Sequence, residues 1–216
     1  MAWKELREVG GIALCSLAAQ IYLAVAAVHP DIFPFIRRYG TGLPFVYDGF
    51  VGWLGCICVI TAVALGARQT LGESIHNTYP FLLHRPAGRR WLIGMKLFVG
   101  MMVYLVCGPI SILGYGIWAA APGTHPSPFD WSMTLPAWIL WFGMMLLYLG
   151  TFLAGIRPGR WLGTRLWPLI ASGLATFLAI WIAVEVHLFW GFAWALAIDI
   201  WLIGVILSIA RTRDYS

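Results

Sequence analysis

The chain has 216 residues, 61% of them hydrophobic and only 11% charged, with a formal net charge of +5 and a mean hydropathy of +0.81. Soluble domains carry about 45–50% apolar and about 25% charged residues, so the composition excludes a water-facing globule and points to one all-α integral membrane domain over residues 1–216. The 13 tryptophans suit membrane interfaces, where an indole is half solvated and half immersed.

Taken in order, the chain opens with "MAWKELREVGG". Trp3 and Leu6 lie three apart, and Lys4 and Glu8 four apart, which sets an apolar stripe beside an ion-pairing face. The pattern predicts a short N-terminal interfacial helix. The segment has acids among its bases and no small-residue cleavage site, so it reads as retained. A membrane helix needs about 20 apolar residues, and six stretches qualify: 9–28, 45–65, 97–118, 135–156, 166–184 and 188–210. "HPDIFPFIRRYGTGLP" and "AAAPGTHPSPFD" are Pro- and Gly-rich turns. "EVHL" is a tight turn between the last two spans. No internal repeat or low-complexity tract is present.

Basic residues set the orientation. With the N-terminus inside, two fall before the first span (Lys4, Arg7) and five between the second and third (Arg68, Arg85, Arg89, Arg90, Lys96). Three more fall between the fourth and fifth (Arg157, Arg160, Arg165) and two after the sixth (Arg211, Arg213), which is 12 of the 14 Lys and Arg. Only Arg37 and Arg38 are left outside. The positive-inside rule therefore predicts cytoplasmic termini, and the net charge calls for no nucleic-acid partner.

The longest polar interruption, "GESIHNTYPFLLHRPAGRRWLIGMK", joins spans two and three on that inner side. It contains, in order, Glu73, Asn77 with Thr78, the apolar Phe81, Leu82 and Leu83, then Pro86, Arg89, Arg90 and Lys96. This order and spacing, together with the opening "WKELRE", resembles the permeases of type-2 ABC transporters, whose six spans carry an enlarged cytoplasmic loop in the same place. His76 and His84 do not belong to the family pattern, and the turn before the sixth span is shorter than in many relatives. The resemblance implies a coupling helix that docks an ABC ATPase subunit through Glu73, Asn77, Thr78, Tyr79, Phe81, Leu82, Leu83, Arg85 and Pro86. It also implies a second permease subunit, identical or different, and a bacterial inner-membrane location. Physically, Asn77 or Thr78 can cap a short helix and Pro80 is tolerated in its first turn. Tyr79 and Phe81 to Leu83 form an apolar plug, and Arg89, Arg90 and Lys96 are expected to anchor the third span at the anionic inner leaflet.

ATP and Mg would be held by the partner, since "GRRWLIGMKL" fails the spacing of a phosphate-binding loop. No G-x-S-x-G or H-E-x-x-H motif occurs, so the chain is not expected to be an enzyme. Cys15, Cys56, Cys58 and Cys107 lie in apolar runs and read as buried small hydrophobes. Cys56 and Cys58 are about 200° apart on a helix and share no face. His29, His125 and His187 sit at outer ends and His76 and His84 in the loop, so no pair is placed to ligate haem, and no metal site is expected. Asp199, inside the sixth span, costs about 2.5–3.5 kcal/mol on insertion scales and is the candidate pathway residue. Asp48, Glu185 and His187 can reach headgroups. The expected function is an ATP-driven exporter permease. The alternatives are a six-span scaffold or assembly factor, and a proton-coupled carrier using Asp199.

Overall fold

The computed structural model describes residues 2–29, 43–46, 49–75, 89–124, 128–157 and 164–212, of which 2, 72–75, 89 and 212 are described by backbone alone. Six helical stretches among them are long and apolar enough to cross a membrane. The elements are α1 (Ala2–Val28), α2 (Phe50–Ile75), α3 (Arg89–Cys107), α4 (Pro109–Ala120), α5 (Leu135–Gly143), α6 (Met145–Ile156), α7 (Trp167–Glu185) and α8 (Leu188–Thr212), with a 3-10 turn at Trp131–Thr134 before α5. α3 with α4, and α5 with α6, each make one span.

Several boundaries differ from the sequence reading: α2 starts at Phe50 rather than 45 and α3 at Arg89 rather than 97. The separate interfacial helix expected before the first span is instead the opening of α1, one continuous helix of 27 residues. No proline interrupts it, and at 1.5 Å per residue its length of about 40 Å covers the hydrocarbon and headgroup layers together. α2 runs ten residues beyond its expected end at 65. The polar residues in this extension are satisfied inside: Thr70 Oγ1 donates to Gly66 O at 2.7 Å, and Gln69 is only 2% exposed.

The third span is interrupted where α3 meets α4. Gly108 lies between them and Pro109 lacks the N–H that would bond the carbonyl four residues back. The fourth span has a similar joint at Met144. At its other end, Asp130 caps the 3-10 turn by accepting from Ser132 N at 2.7 Å. That backbone bond, with the Ser132 side chain, holds the Asp130 carboxyl below its ordinary range. The last two spans, expected at 166–184 and 188–210, are α7 and α8, joined through Val186 and His187.

α6 is the centre of the bundle, packed against α2, α7 and α8. The fourth span is 72% buried, whereas the sixth is 22% buried. Lipid tails are as apolar as leucine, so spans associate by close approach and interhelical hydrogen bonds rather than by a hydrophobic drive. Small residues supply that approach. A Cβ on Gly66 would sit 2.8 Å from Thr151 Cβ, and one on Gly191 would sit 2.7 Å from Ala179 O. α1 packs on α2, α3 and α4.

Candidate functional site

Two polar layers cross the bundle. The first lies at the end that carries the start of α1 and the start of α3, here termed the basic end. Lys96 is 6% exposed and Glu5 6% exposed, and their charged atoms meet at 2.9 Å. Glu8 stands 4.0 Å from the same ammonium and pairs with Lys4 at 3.3 Å. Lys96 O accepts from Gln69 Nε2 at 2.7 Å. The Tyr148 hydroxyl is 2.8 Å from Gln69 Oε1 and 3.1 Å from Leu97 O. Gly100 is required here, because any Cβ would collide with the Tyr148 hydroxyl and Gln69 Oε1. α1, α2, α3 and α6 are thus tied together at one level.

The second layer runs at membrane depth. Thr61 Oγ1 donates to Ser16 Oγ at 3.0 Å. Ser111 Oγ donates to Gln20 Oε1 at 2.5 Å, and Gln20 Nε2 approaches Cys58 Sγ at 3.8 Å. Cys58 in turn meets the Tyr104 side chain. Tyr104 donates to Trp141 O at 2.8 Å, and its ring stacks parallel to that indole at 6.5 Å. The indole nitrogen fills the space that a Cβ at Gly108 would take, so the glycine is what admits it. Asp199, 5% exposed, lies within electrostatic reach of Tyr104.

The track ends on two orphans. Asp199 Oδ1 and Trp141 Nε1 are buried without a hydrogen-bond partner among the described residues. Such groups carry the full cost of desolvation. One is an acceptor or acid and the other a donor, the indole stacked on Tyr104 and the carboxylate within its electrostatic reach, so each can take up a proton or a polar group arriving in the bundle.

Asp199 therefore lies buried within the bundle. Lys96, expected to meet the inner leaflet, is turned inward onto Glu5. Arg90 is exposed at the start of α3. Glu73 and Arg89 have helical backbone, and their side chains lie outside the described set. Asn77, Thr78, Tyr79, Phe81, Leu82, Leu83, Arg85 and Pro86 lie outside the described residues, as do Asp48 and His125. Glu185 and His187 are exposed at the α7–α8 turn. Cys15 and Cys56 are exposed and only Cys58 and Cys107 buried, which corrects the reading of all four as core residues and agrees with the opposed faces of Cys56 and Cys58. No group of three or more His, Cys, Asp or Glu is arranged to hold a metal among the described residues.

Sequence reasoning missed Glu5, Gln20, Gln69, Tyr104, Trp141 and Tyr148. Gln20 and Gln69 carried a usable signal, since an amide deep in an apolar helix needs an interhelical partner. The aromatic residues carried none, because buried and lipid-facing aromatics read alike. No family model, curated protein or solved structure matches the chain.

Proposed function

We propose that this chain is the transmembrane permease subunit of an ABC-type exporter, paired with a second permease subunit and driven by a separate ATPase that binds ATP and Mg. The observation that carries the reading is the clamp at the base of the segment between α2 and α3. Gln69 near the end of α2, Lys96 near the start of α3, Glu5 of α1 and Tyr148 of α6 are joined by short polar contacts. A segment gripped by a motor needs a stiff root, or the stroke is absorbed locally. With this root, displacement of residues 76–88 moves α1, α2, α3 and α6 as a unit, in keeping with rigid-body alternation between two states. The resemblance of Glu73 to Pro86 to a coupling helix supplies the docking element and implies a bacterial inner membrane, and the positive-inside distribution favours the cytoplasmic side for that segment.

The test is replacement of Phe81 and Leu82 together by Asp, which buries unpaired charge in any apolar docking groove. The permease should still insert and fold, while ATPase copurification and ATP-dependent transport are lost. Retention of the ATPase at wild-type stoichiometry would defeat the reading.

A second reading is favoured by one observation, the buried, unpartnered oxygen of Asp199 within electrostatic reach of Tyr104. It makes the chain a proton-coupled carrier. Transport that persists without an ATPase, collapses when the proton gradient is dissipated and is abolished in Asp199→Asn would select it over the first.

A further inference from the structure

Where the end of α6 meets the start of α7 and the last turns of α8, a groove of about 530 Å³ lies between them. Its walls are apolar side chains, including Trp167, Trp201, Leu202 and Val205, and its mouth is marked by Arg157. Along α8 the groove spans Ile198 to Ile209, which at 1.5 Å per residue is about 16 Å. One leaflet of a bilayer offers about 15 Å of hydrocarbon. The groove therefore starts at headgroup level and stops near mid-membrane, the depth of a single acyl chain.

The mouth is strongly cationic. Arg157 is exposed at the end of α6. Arg165 lies beside it, its Nε and Nη2 donating to Ala154 O and Gly155 O at 3.1 and 2.8 Å. Those bonds satisfy carbonyls that the end of α6 leaves open. Arg211, in the last turn of α8, is exposed two residues beyond the groove. Among the described residues the inner turns of α6, α7 and α8 contain no carboxylate. A guanidinium pairs with phosphate bidentately and with little lost hydration.

We infer that this groove holds an anionic phospholipid of the same leaflet, one acyl chain lying between α7 and α8 and the phosphate on Arg157. The site is separate from the polar track and from the α2–α3 segment, so it stands whether or not an ATPase docks. Bound there, the lipid fills the gap between α7 and α8 on their way to α6 and holds the hairpin at a fixed spread.

The experiment uses the purified full chain in nanodiscs with phosphatidylglycerol or phosphatidylcholine carrying a mid-chain diazirine. Phosphatidylglycerol should label the groove, at Ser172, Leu202 or Val205, in preference to the exposed face of α7 at Phe177. It should be favoured over phosphatidylcholine about fivefold, the contribution of one basic residue at an anionic surface. Arg157→Gln should erase that preference while groove labelling persists. Ala175→Phe should remove the labelling, and Val205→Trp provides the same block should the first variant fail to fold. Equal labelling by the two lipids, an unchanged preference in Arg157→Gln, or labelling spread evenly over α7 and α8 would each overturn the assignment.

Discussion

Removing the Lys96 ammonium is the sharpest perturbation of the clamp. The Lys96 and Glu5 side chains are 8% and 7% exposed and 2.9 Å apart, so solvent screens the pair little. Lys96→Met leaves Glu5 buried without its cation, and breaking a buried pair from one side costs about 3–5 kcal/mol. Glu5→Leu should cost less, about 1–3 kcal/mol, because Glu8 stands 4.0 Å from the ammonium as a substitute. The double variant Glu5→Leu with Lys96→Met removes both charges and should return to within about 1 kcal/mol of the wild type. The bond from Gln69 Nε2 to Lys96 O uses the backbone and survives in every variant. Equilibrium unfolding in mixed micelles, followed by tryptophan fluorescence, gives all four corners of the cycle. A double variant whose loss equals the sum of the single losses would refute the reasoning, since independent residues add and coupled ones do not.

Further outcomes are expected elsewhere in the bundle. Gly150→Val should destabilise by about 1–3 kcal/mol in the same assay, because its Cβ would collide with Ser172 and lie 2.8 Å from Pro168 O. Gly173→Ala, whose Cβ would rest 3.7 Å from Leu147 Cδ2, should be neutral by comparison. Asp199→Leu should insert normally and reduce transport, with Asp199→Asn milder under the ATP-driven reading, and normal transport in both would reduce Asp199 to packing. The capped turn at Trp131–Thr134 should be ordered above the ordinary carboxylate range and loosen as pH falls through the lowered Asp130 value. Amide exchange at Ser132 reports this, and Asp130→Ala should remove the pH dependence. Cysteine labelling in sealed cells should reach Thr124→Cys from outside and not Ser216→Cys.

Helix number and approximate span positions were legible because twenty-residue apolar runs leave the chain little choice in a bilayer. The errors arose where polar residues were satisfied by partners distant in sequence. The second span reads as ending at 65, short of Gln69 and Thr70, whose partners are the Lys96 carbonyl of α3 and a carbonyl of the helix itself. Lys96 looked like an interfacial anchor because Glu5 lies 91 residues away. Asp199 was conspicuous as a carboxylate among apolar neighbours, yet Trp141 as its fellow orphan was not, since an indole is unremarkable in a membrane span. The helix breaks at Gly108 and Met144 were both missed: Pro109 carried a usable signal for the first, and nothing in the sequence marks the second.

The most direct measurement is intact-complex mass spectrometry of the chain purified from a membrane in which its neighbouring genes are co-expressed. The account predicts a complex containing two permease subunits and ATPase subunits, from which the ATPase mass disappears in the Phe81→Asp, Leu82→Asp double variant while the permease remains folded. A wild-type chain that carries no ATPase under those conditions would contradict it.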